Sequence, residues 1–126
     1  MGEREDITQQ VESIRPDVDP ATYLNADGTA WCVEMVRGPS QGQTVILSDG
    51  ETIYGREEDC DVFLDDITVS RKHCKFVLAD DVVTLIDLGS TNGTYLNSQA
   101  VESKILEAGD VIQIGKYVFV LTRRSA

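Results

Sequence analysis

Positive charge is what this 126-residue chain most lacks: 11 lysines and arginines stand against 22 aspartates and glutamates, a formal net charge of −11. A nucleic-acid binder needs a basic face to displace counterions, so this balance argues against nucleic acid as a partner. Long apolar runs are missing too. None approaches the roughly 18 residues of a membrane span, and no basic-then-apolar leader opens the chain. A cytoplasmic location with no membrane partner is therefore expected. The three cysteines, Cys32, Cys60 and Cys74, are odd in number and far apart, and no Cys-x-x-Cys or His-x₃-His pair occurs. This spacing fits buried free thiols in a reducing compartment rather than a disulfide framework or structural zinc. A Gly-x-x-x-x-Gly-Lys-Ser/Thr loop is absent, as is a Gly-x-Ser-x-Gly elbow, so neither a P-loop nor an α/β-hydrolase nucleophile is supported. No metal and no cofactor is implied.

What remains is a composition of 41% hydrophobic and 26% charged residues, in a length suited to one globular domain. Residues 1–29 differ from the rest. Six acids lie between Glu3 and Asp19, Pro16 and Pro20 interrupt the segment, and apolar residues are sparse. This reads as a mostly disordered acidic tail, in which only Ile7, Val11 and Ile14 have helical spacing. From residue 30 to 126 the texture changes to short runs of β-branched and aromatic residues. Strands are expected at Trp31–Val36, Thr44–Leu47, Thr52–Tyr54, Val62–Leu64, Lys75–Leu78, Val82–Ile86, Thr94–Leu96, Val111–Ile114 and Tyr117–Leu121. Turn signals separate them, among them Gly38-Pro39, Asp49-Gly50, Asn92-Gly93 and Gly109-Asp110. Many short strands without an amphipathic helix indicate an all-β antiparallel sandwich or barrel.

Three loops hold the residues with chemistry to offer: "YGREEDCDVFLDD" (54–66), "TVSRKH" (68–73) and "DLGSTNGTYLN" (87–97). In a sandwich, loops at one end are neighbours even when distant in sequence. If these three share an end, Arg56, Ser70, Arg71 and Asn92 converge. Guanidinium forks suit phosphate oxygens, a hydroxyl adds a neutral bond, and a carboxamide can pair with a peptide backbone. Such a site would bind a phosphorylated residue in an extended segment and needs no nucleophile. Blander readings stand beside this one. Arg56 could pair locally with Glu57 or Glu58, and Asn92-Gly93 by itself reads as a type I′ hairpin turn. Ser70 and His73, with Asp87 as orienter, would make a hydrolase only with an oxyanion hole that nothing in the sequence supplies.

The series "GR…SRKH…STNG", in this order and between these strand signals, resembles the forkhead-associated (FHA) domain, a phosphothreonine-binding β-sandwich, over Trp31 to Arg124. The resemblance implies that Arg56 and Ser70 are the main phosphate ligands and Arg71 a supporting cation. Thr91 and Asn92 would hold the phosphothreonine and its flanking backbone, and Gly55, His73 and Gly93 would be architectural. "DVFLDDITVSRKH", "GTYLN" and "GDVIQIGKYVFVLT" further resemble the actinobacterial family of the oxoglutarate dehydrogenase inhibitor and glycogen accumulation regulator. That likeness implies a non-enzymatic monomer whose tail, once phosphorylated by a Ser/Thr kinase, folds onto its own FHA site. It also implies partners among central-metabolism enzymes, 2-oxoglutarate dehydrogenase or glutamate dehydrogenase. The family's Glu-Thr-Thr-Ser-Val-Phe tail motif is absent, which leaves Thr8 and Thr22 as the candidate phosphosites. A passive adaptor for phosphorylated proteins is the alternative.

Overall fold

The computed structural model describes residues 28–125. The expected helical spacing at Ile7–Ile14 and both candidate phosphosites lie outside them. Eleven strands follow one another: β1 (Thr29–Arg37), β2 (Thr44–Ile46), β3 (Gly50–Gly55), β4 (Val62–Phe63), β5 (Cys74–Ala79), β6 (Val82–Asp87), β7 (Thr94–Leu96), β8 (Gln99–Val101), β9 (Ser103–Ile105), β10 (Val111–Ile114) and β11 (Tyr117–Ser125). All nine expected strands are present. β8 and β9 are additions that the sequence pattern does not show. Both are three residues long and mostly exposed, so neither carries the apolar alternation that marks a half-buried strand.

The strands form two layers. One sheet has the order β2-β1-β11-β10-β7-β8 and the other β4-β3-β5-β6-β9. Pairing is antiparallel except between β3 and β4, which run parallel with Tyr54 opposite Val62. The expected antiparallel β-sandwich is formed, with one parallel pair at this edge, because the 56–61 loop carries the chain back to re-enter in the same direction. Alternation then builds the core. In β5, Cys74, Phe76 and Leu78 point between the sheets and are buried, while Lys75, Val77 and Ala79 point away. Tyr54 sits fully buried at the centre, its ring 5.0 Å from Phe76 and edge-on to Phe119 at 5.4 Å. The spine of the larger sheet is β1 paired with β11, from Thr29 opposite Ser125 to Arg37 opposite Val118. The chain therefore enters the sandwich at the end where β11 finishes.

The Asn92-Gly93 pair does not form the expected type I′ hairpin. Gly93 has φ of +87°, but Asn92 is not among the residues of positive φ. β6 and β7 also belong to different sheets, so residues 88–93 cross between the layers. The consecutive left-handed pairs that a type I′ turn demands occur instead at Asp80-Asp81, between β5 and β6, and at Asn97-Ser98, between β7 and β8.

Candidate functional site

Four connections gather at one end of the sandwich: β3–β4, β4–β5, β6–β7 and β10–β11. Backbone bonds tie the first two together. Arg56 N–H donates to Ser70 O at 3.0 Å and Glu57 N–H to Arg71 O at 3.2 Å. This approach is close enough to require glycine at Gly55. A β-carbon there would run into the Arg71 carbonyl and come within 2.8 Å of Cys60 Sγ. The Arg56 guanidinium is aimed by a bond from its Nε to Val69 O at 2.9 Å, which leaves its terminal nitrogens facing outward. Arg56 and Arg71 are both exposed.

Ser70 links the second loop to the third. Its Oγ accepts the Thr91 N–H at 2.9 Å. Asn92 Nδ2 donates to Thr68 O at 3.1 Å, which fixes the carboxamide plane and leaves its oxygen open. His73 is fully buried beneath these contacts. Its Nδ1 accepts the Ser70 N–H at 3.1 Å, so the ring proton is on Nε2 and is donated to Gly93 O at 2.8 Å. One imidazole thus pins both loops. With both ring nitrogens spent on backbone groups, His73 has none left to activate Ser70, and the hydrolase geometry is not formed. Asp87, the orienter in that reading, braces the crossing loop instead. Its carboxylate accepts from Ser90 and Gly89 N–H and from the Ser90 and Thr94 hydroxyls.

All the residues singled out in the domain, Gly55, Arg56, Ser70, Arg71, His73, Thr91, Asn92 and Gly93, therefore lie at this one end. Sequence reasoning missed the fourth connection. Thr68 N–H and its hydroxyl both donate to Asp66, Lys116 Nζ lies 3.0 Å from the same carboxylate, and Lys116 N–H donates to Thr68 Oγ1 at 3.0 Å. These donors hold the Asp66 carboxyl down to about 2 from its ordinary 3.8. Gly115 makes the approach feasible. Its φ is +57°, and a β-carbon would come within 2.9 Å of Thr68 O and run into the Thr68 hydroxyl. Beside this clamp an open hollow of about 270 Å³ is lined by Thr68, Asn92, Gly93, Tyr95, Gln113, Gly115 and Lys116. The "IGKY" stretch between two strong strand signals was the one available hint, as a tight hairpin with a cation at its tip.

The cysteines take no part. Burial pushes the Cys32 thiol up to about 11 and raises Cys60 and Cys74 as well, so all three stay protonated and unreactive near neutral pH. Among the described residues no cluster of His, Cys, Asp or Glu could hold a metal. No helix of those residues is long and apolar enough to cross a membrane.

Residues 34–125 match a family model described as the inner membrane component of T3SS, cytoplasmic domain, an FHA-like domain. Over 97% of its length the chain is 38% identical to the oxoglutarate dehydrogenase inhibitor of Corynebacterium jeikeium, covering 85% of that protein. It is 46% identical to the glycogen accumulation regulator GarA of Mycolicibacterium smegmatis, over 92% of this chain and 83% of that one. Two solved FHA domains superpose with a TM-score of 0.68 at 34% identity, each over 73% of this chain. One comes from a study of phosphothreonine-dependent FHA interactions and is covered to 94%. The other, from FhaA in complex with the intracellular domain of a second protein, is covered to 99%. The chain belongs to the FHA-domain family of the oxoglutarate dehydrogenase inhibitor and glycogen accumulation regulator.

Proposed function

We propose that this protein is a non-enzymatic, phosphothreonine-dependent regulator of a metabolic enzyme, switched by phosphorylation of its own tail. The observation that carries the reading is the convergence of Arg56, Ser70, Arg71 and Asn92 at one loop end, locked by His73 and by the Ser70–Thr91 bond. In this reading Arg56 and Ser70 hold the phosphate, Arg71 adds charge, and Thr91 and Asn92 grip the phosphothreonine and its neighbouring backbone. Because the domain carries net negative charge, long-range attraction cannot recruit the anion. Short charge-assisted bonds inside a locally positive pocket do so instead, and the acidic surround selects against other anions.

Thr8 is the proposed phosphosite, in "EREDITQQVESI", with acids before it and Val11 three residues after. A tethered phosphothreonine acts at an effective concentration of about a millimolar, enough to saturate a micromolar site and displace a partner. The enzyme partner is 2-oxoglutarate dehydrogenase or glutamate dehydrogenase, bound by the unphosphorylated form. A passive adaptor would share the pocket but not the self-closure.

The experiment has two arms. Calorimetric titration with threonine, phosphoserine and phosphothreonine versions of one peptide should give binding only with phosphate and much tighter binding with phosphothreonine. The extra methyl fixes χ1 and buries about 0.8 kcal/mol of apolar surface. Kinase treatment of the full chain should then shift the Arg56, Ser70 and Asn92 amides in NMR spectra, and Thr8→Ala should abolish those shifts. Equal affinity for phosphoserine would contradict the ligand, and persistent shifts in Thr8→Ala would contradict the phosphosite.

A further inference from the structure

The outer face of the five-stranded sheet has the wrong polarity for a surface that meets only water. An antiparallel sandwich normally alternates apolar-in with polar-out. Here the outward positions include Ile53 on β3, Val77 on β5, Val82 and Ile86 on β6 and Ile105 on β9, with Phe63 at the β4 edge. Register joins them into one surface, since Ile53 pairs with Lys75, Lys75 with Ile86, Val77 with Thr84 and Thr84 with Ile105. Phe63, Val82 and Ile105 are 44%, 42% and 65% exposed. No described element lies over them, because the other sheet packs on the opposite side.

Charge identifies the occupant. The one cation on this face, Lys75, is held by Glu51 at 2.8 Å. Exposed acids border the face in the flanking turns: Asp49 before β3, Asp61 before β4, Asp80 after β5 and Glu102 before β9. Lys104 lies on the other side of β9 by alternation. A second copy would bring the same acidic border against its twin. The chain's own tail carries six acids between Glu3 and Asp19 and meets the same repulsion. Strands about 4.8 Å apart make the face roughly 20 Å wide. That is large enough to seat one helix of about 10 Å diameter and too small for a standard interface of about 800 Å² per partner.

We propose that the outer face of β3, β5, β6 and β9 is a docking surface for a basic amphipathic helix on a partner protein, separate from the loop end. Apolar residues on the helix cover Val77, Val82 and Ile105 while flanking lysines or arginines meet Asp49, Asp61 and Asp80. Occupancy of this face is independent of phosphate at the loop end, so a partner stays attached while the other site switches.

The test titrates the full-length ¹⁵N-labelled protein with a 14-residue helical peptide of leucine and lysine. A matched peptide with serine for leucine serves as control. Shifts are expected at the amides of Val77, Val82, Thr84 and Ile105 with the leucine peptide alone, weakening several-fold as salt is raised. Val82→Thr/Ile105→Thr keeps β-propensity at exposed positions and should weaken the interaction at least tenfold, with phosphothreonine-peptide affinity unchanged. That second reading separates failure here from failure of the phosphopeptide site. Equal response to both peptides, or shifts centred on Arg56, Ser70 and Asn92, would overturn the proposal. So would face amides that move with protein concentration as the sedimenting mass doubles, which would mean a second copy. Face amides that move on Val11→Asp in peptide-free protein would overturn it in favour of the tail.

Discussion

His73→Ala removes the fully buried side chain that hydrogen-bonds two site loops at once. The ring is fully buried, so its loss opens a cavity, and large-to-small changes of this size cost roughly 2–3 kcal/mol. It also strands the Ser70 N–H and the Gly93 carbonyl. Both contacts are only partly buried, which places each at the low end of the unsatisfied-group penalty, about 1 kcal/mol. The sum is about 4–5 kcal/mol. In a domain of this size that corresponds to a fall in melting temperature on the order of 15–30 °C. Thermal unfolding followed by circular dichroism measures it, and ¹⁵N spectra of the wild type should show the tautomer protonated at Nε2. A fall of less than about 5 °C, or a ring protonated at Nδ1, would refute the bracing role.

Arg56→Ala should leave melting nearly unchanged, because the side chain is exposed. It should weaken a phosphothreonine peptide about a hundredfold or more by calorimetry, since two charge-assisted bonds are worth roughly 1.5–3 kcal/mol each. Gly115→Ala should destabilise the domain and perturb the Thr68 and Asn92 amides together, because its β-carbon collides with Thr68 rather than with a yielding side chain; normal spectra would remove the β10–β11 turn from the site. Acid should loosen the Asp66 clamp in a defined window. The folded carboxyl is held at about 2 against 3.8 unfolded, so its contribution is complete above about pH 4 and fades as pH falls toward 2. Amide shifts of Thr68 and Lys116 should titrate there, and Asp66→Asn should flatten the curve.

The sequence made the strands legible wherever β-branched and aromatic residues run together between turn signals, as in β3, β5 and β6. It hid β8 and β9 because edge strands exposed on both sides have no alternation to read. The convergence of Arg56, Ser70 and Asn92 was legible only from the FHA resemblance and the assumption that three loops share an end, which strand signals do not establish by themselves. Asn92-Gly93 misled because the same dipeptide serves hairpins and sheet-crossing loops, and topology decides between them. Lys116 and Asp66 were invisible for a related reason. Fifty residues separate them in sequence, and only the packing of Gly115 against Thr68 brings them together.

The pairing of β1 with β11 also acts as a ruler. Thr29 lies opposite Ser125, while β11 begins at Tyr117, beside the clamp. At about 3.4 Å per residue, the tail's attachment point is roughly 27 Å from the pocket. Seven residues separate Thr22 from Thr29, a contour of at most about 25 Å, so the Thr22 backbone falls short of the pocket even with every link pulled straight. Twenty-one residues separate Thr8 from Thr29 and leave ample slack. If the pocket takes the tail's phosphothreonine as proposed, a phosphate near the start of the chain can close on its own molecule, whereas one near the domain would engage a neighbouring copy more easily than its own pocket. Under that proposal the choice between a private lock and a chain-to-chain bridge is set by residue count, and deletions within the tail are expected to convert one into the other without altering pocket or phosphosite.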